Sequence, residues 1–143
     1  MKSFEFTVYT KPVGKARPRA ARTGKGIRIY TPKTTVDYER HIAMQFLDQG
    51  GTVFDYKWLE VIITAYFPIP KSIKKADKLL YETGYVPYDH KPDADNIAKS
   101  VLDGLNNVAW TDDKQVVSLK VRKFYAKEPR INIKIQEVYT NDC

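Results

Sequence analysis

Asp93 and Asp95 stand two residues apart behind Pro92, Lys99 follows four residues after Asp95, and a second acidic pair, Asp112-Asp113, comes later. Pro92 disfavours helix at Lys91 and is expected to hold this approach extended. Residues two apart in extended backbone point the same way, so Asp93 and Asp95 are expected to aim both carboxylates at one point. Lys99 shares a helix face with Asp95. In the second pair, alternation puts Asp113, and not Asp112, on the face of Val117, Leu119 and Val121, which the preceding helix is expected to cover. Three converging carboxylates repel one another, and a divalent cation removes that cost. An all-oxygen donor set favours Mg²⁺, with Mn²⁺ as a substitute, over zinc. Such an ion suits phosphodiester hydrolysis, with Lys99 orienting the nucleophile or binding non-bridging oxygens. The same residues also fit a plainer reading, in which Asp93 caps a helix, Asp95 complements its dipole and Asp95–Lys99 is a surface pair.

Charge points to a partner. The chain has 143 residues and a formal net charge of +7, and residues 1–40 hold ten basic and three acidic side chains, so the whole excess sits there. Lys15, Arg17, Arg19, Arg22, Lys25 and Arg28 are the densest cluster, separated by small residues. Such a segment attracts a polyanion, and nucleic acid is the leading candidate. Phosphate contacts fit this loop, while a solvated basic arm is the bland alternative. Arg17 and Arg19 lie far in sequence from the carboxylates, so arm and acidic site are expected to act separately. Gly24-Lys25-Gly26 is not a phosphate-binding loop, since position 19 is Arg and position 26 is neither Ser nor Thr, and no nucleotide cofactor is expected. His90, Tyr81, Tyr85 and Tyr88 lie near the acidic site in sequence; His90 reads as a bystander, and the tyrosines as candidates for base stacking. Trp110 reads as packing between the helix and the Asp112-Asp113 turn.

The elements that must position these residues follow from periodicity. Phe4, Phe6 and Val8 alternate as a strand, Lys11–Gly26 reads as a loop, and Ile27–Tyr30 as a short strand returning beside the first. A helix is expected over Thr35–Gln49, closed by Gly50-Gly51, and a central strand over Trp58–Phe67. Lys71–Leu80 is a Lys-rich, partly helical excursion and Tyr81–Pro92 a connecting loop. Ile97, Val101 and Leu105 mark a second helix from Asp95 to Asn106. Gln115–Tyr125 and Arg130–Val138 alternate as strands, joined through Ala126–Pro129 as a hairpin. The pattern predicts one α+β (mixed α/β) domain over residues 1–143, with a mixed sheet of about five strands and two to three helices. Hydrophobic residues make up 43% and charged residues 29% of the chain, which excludes a disordered or fibrous class. The longest apolar run, Val61–Phe67, falls far short of the ~20 residues of a membrane span. Glu5 and Lys11 interrupt any secretory signal, and the lone Cys143 allows no intrachain disulfide, so a cytoplasmic location is expected.

The run KPDADNIAKSVLDGLNNVAWTDDKQV (91–116) resembles the signature of the RusA-like Holliday junction resolvases, phage-associated endodeoxyribonucleases. GKARPR (14–19) and YTPKTTVDYE (30–39) are similar to that family's first segment, in the same order, and the likeness extends from about Phe4 to the last strand. The resemblance implies metal-binding carboxylates at Asp93, Asp95 and Asp113 and an essential lysine at Lys99. It further implies a Mg²⁺-dependent homodimer that binds four-way DNA and cuts two strands of like polarity, leaving 5′-phosphates, in recombination and repair. Some members carry a basic residue directly before the first aspartate, where this chain has Pro92. Two other classes remain open on the residues alone: a binding module for branched DNA without catalysis, and a nuclease of flap, nicking or RNA specificity.

Overall fold

The computed structural model describes residues 1–138; Cys143 and the end of the chain lie outside the described residues. Six strands and three helices form an α+β domain: β1 (Ser3–Val8), β2 (Arg19–Thr23), β3 (Gly26–Tyr30), α1 (Lys33–Asp48), β4 (Leu59–Pro68), α2 (Lys78–Glu82), α3 (Ala94–Leu105), β5 (Val116–Ala126) and β6 (Arg130–Glu137). Single 3₁₀ turns over Lys75–Asp77 and Asp113–Gln115 precede α2 and β5. No helix among the described residues is long and apolar enough to cross a membrane.

The main sheet has the order β1-β6-β4-β5, with β4 and β5 parallel and the other neighbours antiparallel. β4 is central, as its β-branched and aromatic run predicts. Leu59, Val61, Ile63, Ala65 and Phe67 alternate into one face, joined there by Phe6, Val8, Ile131, Ile133 and Ile135. Helices α1 and α3 cover that face through Ile42 and Phe46 and through Ile97, Val101 and Leu105. Helix α3 also packs along α1, which is why Ser100 and Gly104 are buried with its apolar residues.

Three sequence expectations are corrected. β5 and β6 do not form a hairpin: β4 lies between them, and Lys127–Pro129 passes its end. Alternation fixes which face a side chain occupies and leaves the neighbouring strand open. Lys11–Gly26 is not all loop, because Arg19–Thr23 pairs with Gly26–Tyr30; the latter therefore does not return beside β1. Helix α3 does not cover Val117 and Leu119, which remain about half exposed on an edge strand. A register shift between Leu59 and Glu60 pairs Leu59 with Val116 and Glu60 with Ser118, so Val117 is skipped and alternation is broken there.

The α1–α3 contact depends on a missing side chain. A Cβ at Gly104 would stand 2.9 Å from the Glu39 carbonyl oxygen and 3.2 Å from the Glu39 Cα, both backbone atoms. We expect Gly104→Ala to destabilise the domain by roughly 2 kcal/mol, because overpacking against backbone outweighs the helix-propensity gain of about 1 kcal/mol. Urea unfolding of the two proteins measures the difference; equal midpoints would show that the helices separate freely.

Candidate active site

Asp93 occupies the N-cap position of α3 with extended backbone, and Asp95 lies in the first helical turn. The Asp93 side chain makes no capping hydrogen bond. Among the described residues, neither Asp93 nor Asp95 forms an ion pair, and the Asp95–Lys99 pair is absent. Of the plainer reading, the dipole position of Asp95 holds, while the Asp93 cap bond and the Asp95–Lys99 pair are not formed. Both carboxylates are exposed and uncommitted, at the end of the helix whose dipole favours negative charge. The extended-strand argument is also corrected, because the helix starts at Ala94 and Asp95 is already helical. The Lys91–Pro92 peptide is cis.

The basic arm docks onto this same helix end. Lys15 N–H donates to the Asn96 carbonyl (3.0 Å), and the Ser100 hydroxyl donates to the Val13 carbonyl (2.8 Å). A Cβ at Gly14 would lie 2.6 Å from Pro92 Cβ, so only glycine lets the arm lie this close. The result is an open cleft of about 660 Å³ lined by Gly14, Lys15, Arg17, Lys91, Pro92, Asp93 and Asn96. Arg17 and Asp93 thus share one cleft, despite their separation in sequence. Arg19, Arg22, Lys25 and Arg28 are exposed on the β2–β3 hairpin beyond it.

Lys15 has a different position from the arginines. Its ammonium lies 2.8 Å from Glu39 Oε2 on α1 and 3.0 Å from Asp103 Oδ2 on α3. Burial alone would lower its pKa, but the bonds to Glu39 and Asp103 outweigh that and raise it. Lys15 is an internal tie, and its ammonium is not free for phosphate in the way the sequence suggested. Neither Glu39 nor Asp103 stands out in the sequence, although Asp95, Lys99 and Asp103 are spaced by four and form one stripe along α3.

The Asp112-Asp113 pair divides its work. Asp112 Oδ1 accepts the Lys114 N–H (2.9 Å) and caps the 3₁₀ turn, while Asp113 Oδ1 accepts the Trp110 indole N–H (2.7 Å). Trp110 is fully buried. Burial pushes the Asp113 carboxyl up; the indole bond opposes this, and the charges of Asp103 and Asp112 add to it. Asp113 is thus singled out by hydrogen bonding, since strand alternation does not reach into a 3₁₀ turn. Gln115, unremarked in sequence, holds the turn. Its amide donates to the Phe54 and Lys57 carbonyls (2.8 and 3.1 Å), and its oxygen accepts from Thr111 and Asp112 N–H (2.9 and 3.1 Å).

The three aspartates do not stand as a ready metal group among the described residues of one chain. Asp113 feels Asp103, two turns down α3, and eight residues of helix from Asp95 to Asp103 span about 12 Å. Among the described residues, no three His, Cys, Asp or Glu side chains stand together as a ready metal group. The donor chemistry nevertheless fits a hard divalent cation: two uncommitted carboxylates and a third with a free oxygen. His90 is exposed, its Nε2 3.5 Å from Asp89 Oδ1. Tyr88 stacks on Phe67 with centroids 3.8 Å apart and Tyr81 packs edge-on to Tyr125, whereas Tyr85 is exposed.

Comparison with known proteins assigns the class. The family model described as "Endodeoxyribonuclease RusA" matches residues 10–136. The chain is also 36% identical, over 141 residues, to "Uncharacterized protein YqaN" of Bacillus subtilis (strain 168), an alignment covering 96% of this chain and 99% of that one. The chain belongs to the RusA endodeoxyribonuclease family. These are DNA phosphodiester hydrolases of Holliday junction resolution and recombination, and they generally depend on a divalent metal.

Removing the Lys15 ammonium leaves Glu39 and Asp103 as facing, partly buried like charges. We expect Lys15→Met to cost about 2 kcal/mol at neutral pH, in the range for hydrogen bonds to charged groups. The sign follows from linkage: a lysine pKa raised in the folded state gives stability that is complete below its unfolded value and lost as pH climbs through the folded one. The gap between wild type and variant should therefore be flat at neutral pH and narrow only in strong alkali. Unfolding midpoints across pH measure it; a gap that closes near neutrality would remove the ammonium as its source.

Proposed function

We propose that the chain is a Mg²⁺-dependent endonuclease that resolves four-way DNA junctions by paired, symmetric phosphodiester cuts, working as a homodimer. The observation that carries the reading is the uncommitted Asp93 on a cleft shared with Arg17, with Asp95 uncommitted in the first turn of the same helix, in a chain of this family. Asp93, Asp95 and Asp113 hold the cation. When bound, it lowers the pKa of the attacking water and offsets charge on the phosphorane and leaving oxygen. Arg17, at the cleft wall, holds a phosphate of the bound strand. Lys99, one turn from Asp95 on the exposed stripe of α3, presents its ammonium to a non-bridging oxygen as charge develops there. Arg19, Arg22, Lys25 and Arg28 supply sequence-independent affinity for the polyanion.

That no three acidic side chains stand together as a metal group among the described residues of one chain gives the homodimer a chemical purpose. We infer that Asp93 and Asp95 of one protomer meet Asp113 of the other, so that each dimer has two sites and neither protomer has one. Asp93→Asn, Asp95→Asn and Asp113→Asn are each expected to lower cutting of a synthetic four-way junction in Mg²⁺ by orders of magnitude while junction binding persists. Lys99→Ala should lower the cleavage rate far more than the affinity. Mixing Asp93→Asn with Asp113→Asn, both inactive alone, should restore nicking, because each mixed dimer rebuilds one intact site. Retained cutting by the single variants would overturn the catalytic assignment. Full subunit exchange without any restored nicking would put all three carboxylates in one protomer.

A further inference from the structure

The β2–β3 hairpin has two faces of different chemistry. Directly paired residues of an antiparallel ladder share a face. Arg19 with Tyr30 and Ala21 with Arg28 therefore lie on one side, and Ala20 with Ile29 and Arg22 with Ile27 on the other. Ile27 and Ile29 are each 74% exposed, opposite Arg22 and the small Ala20, and no described residue covers that face. A lone two-stranded hairpin is marginal in water, and these residues add unpartnered apolar surface to it. Phosphate binding alone explains the arginines and not the isoleucines.

The charge around the pair selects the occupant. Residues 11–36 carry eight basic side chains and no acidic one. A second copy of the same hairpin is repelled by that field and a polyanion is drawn to it. In a chain of a DNA-nuclease family, the polyanion that also offers apolar surface is nucleic acid with accessible base faces. Isoleucine is among the side chains that wedge between base steps. Two residues along a strand span about 6.7 Å, close to the height of a base step opened by one inserted side chain.

We propose that the hairpin is a branch-point wedge: Arg19 and Arg28 hold backbone phosphates on one face, while Ile27 and Ile29 enter between unstacked bases on the other. The proposal rests on the junction-nuclease reading and deepens it, because it assigns selectivity for branched over linear DNA to two residues. In linear duplex the bases are stacked and entry costs unstacking, whereas a crossover presents steps already weakened.

The test uses a four-way junction with 2-aminopurine at the crossover, bound by full-length protein in Ca²⁺ to hold it uncut. Wild type is expected to raise the fluorescence at least about twofold on the junction and leave a linear duplex unchanged. Ile27→Thr with Ile29→Thr keeps β-branching; it should abolish the rise and weaken junction binding about tenfold, at unchanged duplex affinity and salt slope. Ile27→Val with Ile29→Val should retain the signal, which separates lost apolar surface from a lost hairpin. Arg19→Gln with Arg28→Gln should weaken both substrates and flatten the salt plot by roughly 2 units, with the fluorescence rise intact at saturation. A threonine pair that leaves fluorescence and junction affinity unchanged would overturn the wedge. So would a threonine pair that sediments as a monomer where wild type is a dimer, since a second copy would then cover the face. A wild type that cuts junctions in Mg²⁺ without any fluorescence rise defeats the wedge alone; one that cuts no junction defeats the nuclease reading beneath it.

Discussion

The Lys15 ammonium, held between Glu39 on α1 and Asp103 on α3, fixes how the two halves of the site relate. The segment after it has nothing comparable, since it carries a dense run of cations and its hairpin buries almost nothing. Pro12 is buried and Val13 packs on the core and accepts the Ser100 hydroxyl, and Lys15, through both backbone and side chain, adds the pins to Asn96 and Asp103 of the helix bearing Asp93. That contact puts Arg17 and Asp93 on the walls of one cleft. The same charge keeps Glu39 and Asp103 from repelling one another across the α1–α3 contact, which Gly104 already makes very close.

Much of this could be read in the sequence where one periodicity governed one element. The stripe of Ile97, Val101 and Leu105 gave α3 its buried side, and the β-branched run of Leu59–Phe67 read directly as a central strand. What could not be read depended on which partners meet. Alternation in β5 and β6 is the same whether they pair with each other or straddle β4. Strand β2 is hidden because Arg19–Thr23 carries arginine, alanine and threonine with no buried face; Ile27–Tyr30 alternates and reads as a strand, but its partner cannot be read without β2. Lys15 looked like its basic neighbours because its two carboxylate partners come 24 and 88 residues later.

The acidic residues illustrate the same limit from the other side. The choice of Asp113 over Asp112 was reached through strand alternation, which the 3₁₀ turn and the β5 irregularity both invalidate. The structure distinguishes the pair for another reason: Asp112 is spent on a cap, and Asp113 is held by a buried indole. Gln115 makes that distinction durable, because four hydrogen bonds from one side chain fix the turn to the loop before β4. The position of Asp113 is therefore set by neutral groups, and the turn can form without a cation.

The lack of a ready acidic cluster among the described residues of one chain has an electrostatic consequence. Had Asp93, Asp95 and Asp113 converged within the protomer, folding would have required either proton uptake or a bound metal to relieve their repulsion. Among the described residues no such cluster stands within a protomer, and the raised pKa of Asp113 comes first from its burial. On the dimeric reading, the full acidic cluster exists only after two protomers associate, when a cation can occupy it as it forms. The penalty of gathering charge is then paid at assembly and not at folding. A free protomer would accordingly be a folded protein without hydrolytic capacity, and two-strand cutting would be tied to the same association that creates the sites.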